Sequence, residues 1–428
     1  MKARRSKKTR KRKNNKTNRF SVQFKLRKFA KYFAIPCLLA FGGCSTYNKQ
    51  TLEYSTIDQY HQHKDIQNYP AYTPPQSADP PAYVNAPIFR NTVVNLPARI
   101  VGFLPSKVNN KELWSTDIVR ALESLDLDPS KENICSIISV IEQESSFQEN
   151  PVVLGLDKIV IKEIERKRDF YHLPRFVIDT ALDKKSQTGE TYRQRIRHLK
   201  TEKDVNQLFY ELINKLPFGE EIFNRQNPIK TAGPMQTQVA FAENLAKEKK
   251  YPYPVTRTIR DEVFTRRGGV YFGTAMLLGY RAPYASRKFY FADYNSGRYS
   301  SRNAAFQYAV SKISNTPLDL DGDLLLYDSE GTPLKKESHT QIALKSINRI
   351  LSLSVDTIVS DLTLEKKTDF ENTQTWQKVY SIFTQKFGSP SLAMLPNINL
   401  NSPKISRKLT TAWFAETVEK RYNSCLNR

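Results

Sequence analysis

Residues that bind metals or form redox pairs are scarce in this sequence. Its 428 residues include four cysteines and five histidines, without a Cys-x-x-Cys pair. Structural zinc sites and redox dithiols need such residues at short, regular spacing, so the pattern gives little support to either class. Two of the histidines, His61 and His63, also lie in a proline-rich stretch. We therefore predict neither a metal nor a cofactor.

Acidic residues are absent from the first 44 positions, which carry 15 Lys and Arg. The remaining residues carry 51 basic and 43 acidic side chains, so most of the formal charge of +23 is local. A nucleic-acid arm would not need an apolar run behind its basic block. Here such a run follows directly, YFAIPCLLAFGGC from Tyr32 to Cys44, and we predict no nucleic-acid partner.

The apolar run is shorter than the roughly 20 residues that span a bilayer. A basic start, a short apolar segment and small residues before a cut are typical of an export signal, which we assign to residues 1–43. The tetrapeptide FGGC resembles a bacterial lipobox, in which the cysteine, here Cys44, is acylated. Ser45 resembles the residue that sorts lipoproteins to the outer membrane. The resemblance implies a periplasmic protein, anchored by lipid to the inner leaflet of the outer membrane; plain secretion is the alternative.

Residues 44–97 are rich in Pro, Tyr, Gln and Asn, as in QNYPAYTPPQSADPPAYVNAP. Dense proline favours an extended, semi-rigid spacer over a packed core. Such a spacer would carry the following domain away from the membrane. A segment wrapped on the surface of that domain is the alternative.

The cysteines allow one disulfide if Cys44 is acylated. Cys135 and Cys425 then remain, and the two can pair in an oxidising periplasm. Cys135 lies in an apolar helix pattern, where a buried free thiol is ordinary. The sequence leaves both alternatives open.

The chain after the spacer has no strand-rich block and no internal repeat. Its apolar spacing predicts a mainly α fold with a core at residues 98–315, a charged helical insert at about 151–228 and a mostly helical C-terminal extension at 316–428. DKIVIKEIERKRDFY and DVNQLFYELINKL predict helices of the insert. GPMQTQVAFAENLAKE and RRGGVYFGTAMLLGY predict helices of the core, the second with glycines for close packing. DPSKENICSIISVIEQESS predicts a helix with Asp128 as N-cap and Pro129 at the first helical position.

Two acids lie at the end of that last helix pattern. Four isoleucines between Ile134 and Ile141 form one apolar stripe, which Glu142 and Glu144 flank on opposite sides. Glu144 has the more apolar neighbours on the helix, so its carboxyl should have a raised pKa and act as an acid near neutrality. Two solvated acids at a helix end are the alternative.

Three short motifs resemble those of lytic transglycosylases with a lysozyme-like fold. EQESSF resembles their Glu-Ser motif, GPMQ their Gly-x-Met-Gln motif, and YNSG in FYFADYNSGRY their Tyr-Asn motif. The three occur in the order of that family, behind an export signal. RRGGVYFGTAMLLGY resembles the glycine-led helix between the last two. The whole chain also resembles a family of uncharacterised bacterial lipoproteins, which adds no chemistry.

The resemblance implies cleavage of peptidoglycan glycan strands between N-acetylmuramic acid and N-acetylglucosamine, with closure of a 1,6-anhydro ring. Glu144 would be the single catalytic acid and base, and Tyr294 would hydrogen-bond and orient it. Gly233 would let backbone approach the saccharide closely. The residues implied to contact the sugars are Ser145, Gly233, Met235, Gln236 and Asn295.

Departures from the family keep other functions open. Glu144 and Gly233 are 89 positions apart, where the family has a short segment, and Pro234 stands where Leu is common. The insert, residues 151–228, would wall the groove, reshape the substrate choice or bind an envelope protein partner. One alternative is a catalytically inactive peptidoglycan-binding lipoprotein that acts as an envelope scaffold. Another is a lysozyme-type hydrolase that releases reducing ends.

A weaker signal lies in DLDGDLLLYDSEGTPL. Its acids between Asp319 and Glu330 resemble a calcium-binding loop, but Gly322 stands at the fourth place, and that loop needs a glycine at the sixth. A β-hairpin that turns at residues 328–331 explains the pattern as well.

Overall fold

The computed structural model describes residues 96–215, 227–328, 331–400 and 409–428. The predicted export signal, Cys44 and the spacer as far as residue 95 lie outside the described residues. Within the described part of the chain, none of the helices has the length and apolar character needed to cross a membrane.

The described chain is mainly helical, which confirms the predicted fold class. Its first helices are α1 (Leu96–Phe103), α2 (Lys111–Ser124), α3 (Lys131–Glu144), α4 (Leu156–Phe170), α5 (Arg175–Leu182), α6 (Tyr192–Arg197) and α7 (Glu202–Ile213). There follow β1 (Thr231–Ala232), β2 (Thr237–Gln238), α8 (Val239–Glu248), α9 (Ile259–Val263), α10 (Arg266–Leu278), α11 (Arg287–Ser296) and α12 (Ser300–Ser314).

The C-terminal part continues with α13 (His339–Ser346), α14 (Asn348–Leu351), α15 (Val355–Leu362), a 3₁₀ helix (Thr368–Asn372), α16 (Gln374–Phe387), β3 (Asn399–Leu400), β4 (Leu409–Thr410) and α17 (Thr411–Leu426). The strands form two antiparallel pairs, β1 with β2 and β3 with β4.

Residues 153–229 form one compact unit, and residues 96–152 and 230–428 belong to the other. The first unit contains α4 to α7, two of which, α4 and α7, are the helices predicted in the insert. The α4 helix buries Leu156, Val160 and Ile164, which recur every four residues on one face. The α7 helix starts with a capping box, in which Thr201 and Asp204 satisfy each other's backbone N–H groups.

In the larger unit, the isoleucine stripe of α3 is fully buried, as its spacing predicts. The predicted start of this helix is wrong by two residues. The N-cap is Ser130, whose hydroxyl accepts the Asn133 backbone N–H, while the Asp128 carbonyl oxygen bonds the side chain of Asn133. Serine and aspartate are equally good caps by type, so composition alone does not decide between them.

The helix predicted from GPMQTQVAFAENLAKE is also too long. Its first six residues form the turn and second strand of the β1–β2 hairpin, and α8 begins at Val239. A Gly-Pro pair marks turns, and this signal outweighs the helical spacing that follows it.

The C-terminal extension shares a core with α12. Phe306 on α12 stacks on Trp376 of α16, with ring centroids 5.4 Å apart. The other fully buried members of this core include Val310, Leu324, Leu344, Ile358, Leu362, Phe370 and Val379. After this core the chain returns, and α17 packs against α3 and α11.

Candidate active site

The predicted acids have different partners. The Glu142 carboxylate lies 3.2 Å from the Arg421 guanidinium, which also donates to the Gln143 side-chain oxygen at 3.0 Å. Glu144, the last residue of α3, has a half-buried side chain. Burial, and after it the charge of Glu144, raise the pKa of Tyr294. Glu142 is therefore held in an ion pair, and Glu144 is the acid whose charge acts on the tyrosine.

The chain turns sharply at the end of α3. Ser145 is buried, and its hydroxyl donates to the Ile141 carbonyl oxygen at 3.0 Å. Ser146 and Phe147 have φ angles of 50° and 62°, in the left-handed region that residues other than glycine rarely adopt. The Phe147 ring packs edge-on against Trp114, with ring centroids 5.3 Å apart. This packing stabilises the turn, which leads the chain away from the helix end.

The Gly-x-Met-Gln motif forms the tip of the β1–β2 hairpin. The Gln236 backbone N–H donates to the Gly233 carbonyl oxygen at 3.0 Å and closes the turn. Gly233 has a φ of 75°, and a Cβ there would lie 2.0 Å from the Val263 carbonyl oxygen. Glycine is therefore required, and the close approach that it permits is to the end of α9. The approach to a saccharide stays a prediction.

The hairpin tip packs on the glycine face of α10. A Cβ on Gly273 would lie 2.4 Å from the Met235 sulfur, and one on Gly269 would lie 2.3 Å from Pro234 Cδ. Met235 is fully buried. The close packing predicted from the glycines of this helix is confirmed at both positions. It also gives Pro234 a structural role, since its ring fills the space over Gly269.

Tyr294 connects α11 to the tip of the hairpin. Its hydroxyl donates to the Met235 carbonyl oxygen at 2.7 Å. The raised pKa keeps it a neutral phenol, and its one hydrogen is directed at Met235. The lone pairs of the same oxygen remain able to accept a hydrogen bond. Tyr294 thus joins two of the motif segments by a hydrogen bond, and the charge of Glu144 acts on its pKa. A hydrogen bond that orients Glu144 stays a prediction.

Two of the predicted sugar-binding residues carry half-buried amides. The Asn295 side-chain oxygen accepts from the Thr411 hydroxyl at 3.0 Å, at the start of α17. The Gln236 side-chain oxygen accepts from the Thr231 hydroxyl at 3.3 Å. Both amides have protein partners, and their contact with a sugar stays a prediction.

Asp293 belongs to no motif, yet it joins α11 to α12. Its buried carboxylate accepts the backbone N–H groups of Ser301 at 2.7 Å and Tyr299 at 3.0 Å. The hydroxyls of Tyr280 and Tyr284 donate to the same group. Burial raises the pKa of Asp293, against the effect of these donors. The sequence signal that could have identified Asp293 is the position of an acid between apolar and aromatic residues in FADYNS.

The α17 helix is covalently tied to the helix of the candidate acid. Cys135 on α3 and Cys425 on α17 form a disulfide across 290 positions of sequence. The sequence leaves open whether these cysteines form a disulfide or whether Cys135 is a buried free thiol, and the structure contains the disulfide. No local pattern indicates that a segment so distant in sequence lies beside α3.

Within the described residues, no group of three or more His, Cys, Asp or Glu side chains is arranged to hold a metal ion. In the weak calcium pattern, Asp321 accepts from the Gln307 amide at 2.8 Å, and Asp323 lies 3.7 Å from Lys366. An antiparallel bridge joins Tyr327 to residue 333 around the predicted turn. These contacts favour the hairpin; Glu330 lies outside the described residues.

Fold and site define a mainly helical protein with one candidate acid at a helix end, backed by a buried tyrosine. The chain belongs to the family described as "Protein of unknown function (DUF1615)", whose profile matches residues 107–428. It is 43% identical over 326 residues to "Uncharacterized protein YaiW" of Escherichia coli (strain K12), which covers 76% of this chain and 88% of that protein. No solved structure matches the chain significantly.

Proposed function

We propose that the protein is a peptidoglycan lytic transglycosylase, which cleaves the β-1,4 bond between N-acetylmuramic acid and N-acetylglucosamine and forms 1,6-anhydro-N-acetylmuramic acid. The observation that carries this proposal is the hydrogen bond between the Tyr-Asn and Gly-x-Met-Gln segments at a tyrosine on which the charge of Glu144 acts. Tyr294 bonds the Met235 backbone, 59 positions away in sequence, and its pKa responds to the charge of Glu144. Motif resemblance by chance would not require two of the motif segments to bond each other.

A single carboxyl is enough for this reaction. Glu144 donates its proton to the glycosidic oxygen as the bond from that oxygen to C1 of the muramic acid breaks. Its carboxylate then takes the proton of the C6 hydroxyl, whose oxygen bonds to C1 and closes the anhydro ring. No water is consumed, and Glu144 ends protonated, ready for the next strand. A hydrolase would instead use a second carboxylate.

Tyr294 supports the acid form of Glu144 in this proposal. Its hydrogen is committed to the Met235 carbonyl oxygen, so its oxygen can act only as an acceptor toward Glu144. A hydrogen bond to the neutral form of a carboxyl favours that form. Ser145, Gln236 and Asn295 line the sugar sites in the same proposal, and Gly233 shapes the hairpin that presents them.

The proposed enzyme acts at the periplasmic face of the outer membrane. Lipid on Cys44 anchors it, and the spacer of residues 44–97 gives it reach toward the wall. Glycan strands of peptidoglycan are its substrate. In the same proposal, the unit around residues 151–228 binds an envelope protein partner.

A wall-binding scaffold without turnover is the second candidate. The hydroxyls of Ser145 and Tyr294 both donate to backbone carbonyl oxygens, and the Asn295 side-chain oxygen is bonded to Thr411. These polar groups already have partners within the protein, as expected of groups that serve the fold. In the scaffold proposal the motif segments hold the fold together and bind the wall without turnover.

Product analysis decides between these functions. Protein lacking residues 1–44 is incubated with purified peptidoglycan, and soluble products are weighed by mass spectrometry. We expect anhydromuropeptides from the parent, and at least about 100-fold less from Glu144→Gln, because a general acid contributes on that order. Glu149→Gln, which changes an exposed acid five positions further along the chain, is the matched control and should keep the activity.

Products heavier by one water would identify a hydrolase. If the parent and Glu144→Gln bind the wall equally and release nothing, the scaffold is correct and the transglycosylase proposal fails.

A further inference from the structure

We infer that Arg421 of α17 is a positioning residue for Glu144, so that the C-terminal helix belongs to the catalytic apparatus. This inference rests on the proposed function for its activity readout. Its structural basis is independent of that function, because it lies in the contacts of Arg421 with the end of α3.

The Arg421 guanidinium bridges the two side chains that directly precede Glu144. Its Nε donates to Gln143 Oε1 at 3.0 Å, and its Nη1 donates to Glu142 Oε1 at 3.2 Å. A guanidinium presents its donors in a rigid fork, so two contacts define its orientation. The Glu142 side chain is only 12% exposed, which shields the ion pair from solvent.

The helix end needs such a restraint. The last backbone bonds of α3 run from Ser145 to the Ile141 carbonyl oxygen at 3.1 Å and from Ser146 to the Glu142 carbonyl oxygen at 3.2 Å. Beyond them the chain enters the left-handed turn, which cannot continue the helix. Helix ends fray, and a cation near the C-terminal end also interacts favourably with the helix dipole. Arg421 supplies both a tether and a positive charge at this point.

Arg421 can restrain α3 because α17 is itself held firmly. The disulfide between Cys135 and Cys425 joins α17 to the second turn of α3. At the other end of α17, the Thr411 hydroxyl bonds Asn295, the residue after Tyr294. One helix therefore spans the two helices that carry the candidate acid and its tyrosine, with Arg421 at the acid.

The test compares variants of the mature protein in release of anhydromuropeptides. Arg421→Ala should lower kcat about tenfold or more and change KM less than kcat, since it misplaces Glu144 and removes no sugar contact. Arg421→Lys should recover part of the loss, because an ammonium group replaces the charge without the fork.

Lys288→Ala is the matched control. Lys288 of α11 lies 3.6 Å from Glu416 and 3.5 Å from Glu419, which both belong to α17. Its loss therefore removes ion pairs of α17 that do not involve α3. We expect it to keep kcat within about twofold, as exposed ion pairs contribute little. Equal kcat values for Arg421→Ala and Lys288→Ala would overturn the inference.

Amide hydrogen exchange provides a readout that needs no activity. The amides of Ser145 and Ser146 should exchange faster in Arg421→Ala than in the parent, and at the parental rate in Lys288→Ala. If the parent releases no anhydromuropeptide and these amides still respond, the transglycosylase proposal fails and the positioning role stands. If they exchange alike in all three proteins, the positioning role fails whatever the activity.

Discussion

At the scale of single residues, the two acids of EQESSF are separated by partners that lie far away in sequence. Helix neighbours alone distinguish Glu144 as the acid with the more apolar setting. The folded chain adds a different distinction, since Arg421 pairs with Glu142 and the charge of Glu144 acts on Tyr294. That Glu144 is the catalytic acid stays a prediction. A raised pKa of Glu144 stays a prediction.

Glu365 is an acid that no motif singles out, yet its carboxyl lies deep in the C-terminal extension. It is fully buried and accepts the backbone N–H groups of Leu324 and Leu325 and the Tyr327 hydroxyl. Burial, followed by the charge of Asp323, raises its pKa to about 7. Glu365 therefore titrates near neutrality inside the core that α12 shares with the extension.

This pKa predicts a pH dependence of stability. Between pH 4.5 and about 7, folded Glu365 keeps a proton that the unfolded chain has released. The free energy of unfolding therefore falls as pH rises through this window, by on the order of 3 kcal/mol from this group. In Glu365→Gln the titration is absent. Urea unfolding at both ends of the window should show the parent losing about that much more stability than the variant; parallel pH profiles would contradict the prediction.

At the scale of elements, the glycines of α10 leave the space in which the tip of the β1–β2 hairpin packs. This packing can be tested at Gly273. Alanine favours a helix over glycine by about 1 kcal/mol. A Cβ here would lie 2.4 Å from the Met235 sulfur and 2.6 Å from its Cβ, and overpacking of this kind costs about 1–3 kcal/mol. We expect Gly273→Ala to lower the melting temperature, and to lower the proposed activity by moving the carbonyl that Tyr294 bonds.

Gly102 on α1 is the control for this substitution. It is exposed, and a Cβ there would meet nothing within 4 Å. Gly102→Ala should therefore raise the free energy of unfolding by about 0.5–1 kcal/mol. If both alanine variants are more stable than the parent, the hairpin does not pack tightly against Gly273 and the prediction is wrong.

The elements also show which parts of the fold are predictable. The stripe on α3 and the glycines of α10 follow from helical period and residue size, and both are found as predicted. The β1–β2 hairpin was missed because strands of two residues have no period. Its turn depends on left-handed backbone at Gly233 and Gln236. Gly-Pro marks such a turn, but the apolar residues after it favoured a helix.

At the scale of the whole molecule, the sequence predicts a C-terminal extension and gives no indication of where α17 lies. The local sequence pattern predicts a helix there, and the structure contains one. Its packing on α3 and α11 depends on contacts between residues far apart in sequence, of which Arg421 with Glu142 and Thr411 with Asn295 are examples. Such contacts leave no local period. For the same reason the site motifs could be found from sequence, while Arg421 could not.

The disulfide makes this long-range arrangement testable. Cys135 and Cys425 close a loop of 290 positions, and both are fully buried. Removing a native disulfide typically costs about 2–5 kcal/mol, with the larger values for long loops. The double variant Cys135→Ala and Cys425→Ala should lose stability in that range in urea unfolding without reductant. Because α17 carries Arg421, the double variant should also show the faster exchange of the Ser145 amide that is expected of Arg421→Ala.

Reductant separates the bond from the substitutions. It should lower the stability of the parent toward that of the double variant and leave the double variant unchanged. If the parent keeps its stability when its thiols are shown by mass to be reduced, the noncovalent contacts of α17 suffice to hold it on α3. The disulfide would then be dispensable for placing Arg421, and the ion pair with Glu142 would carry the positioning by itself.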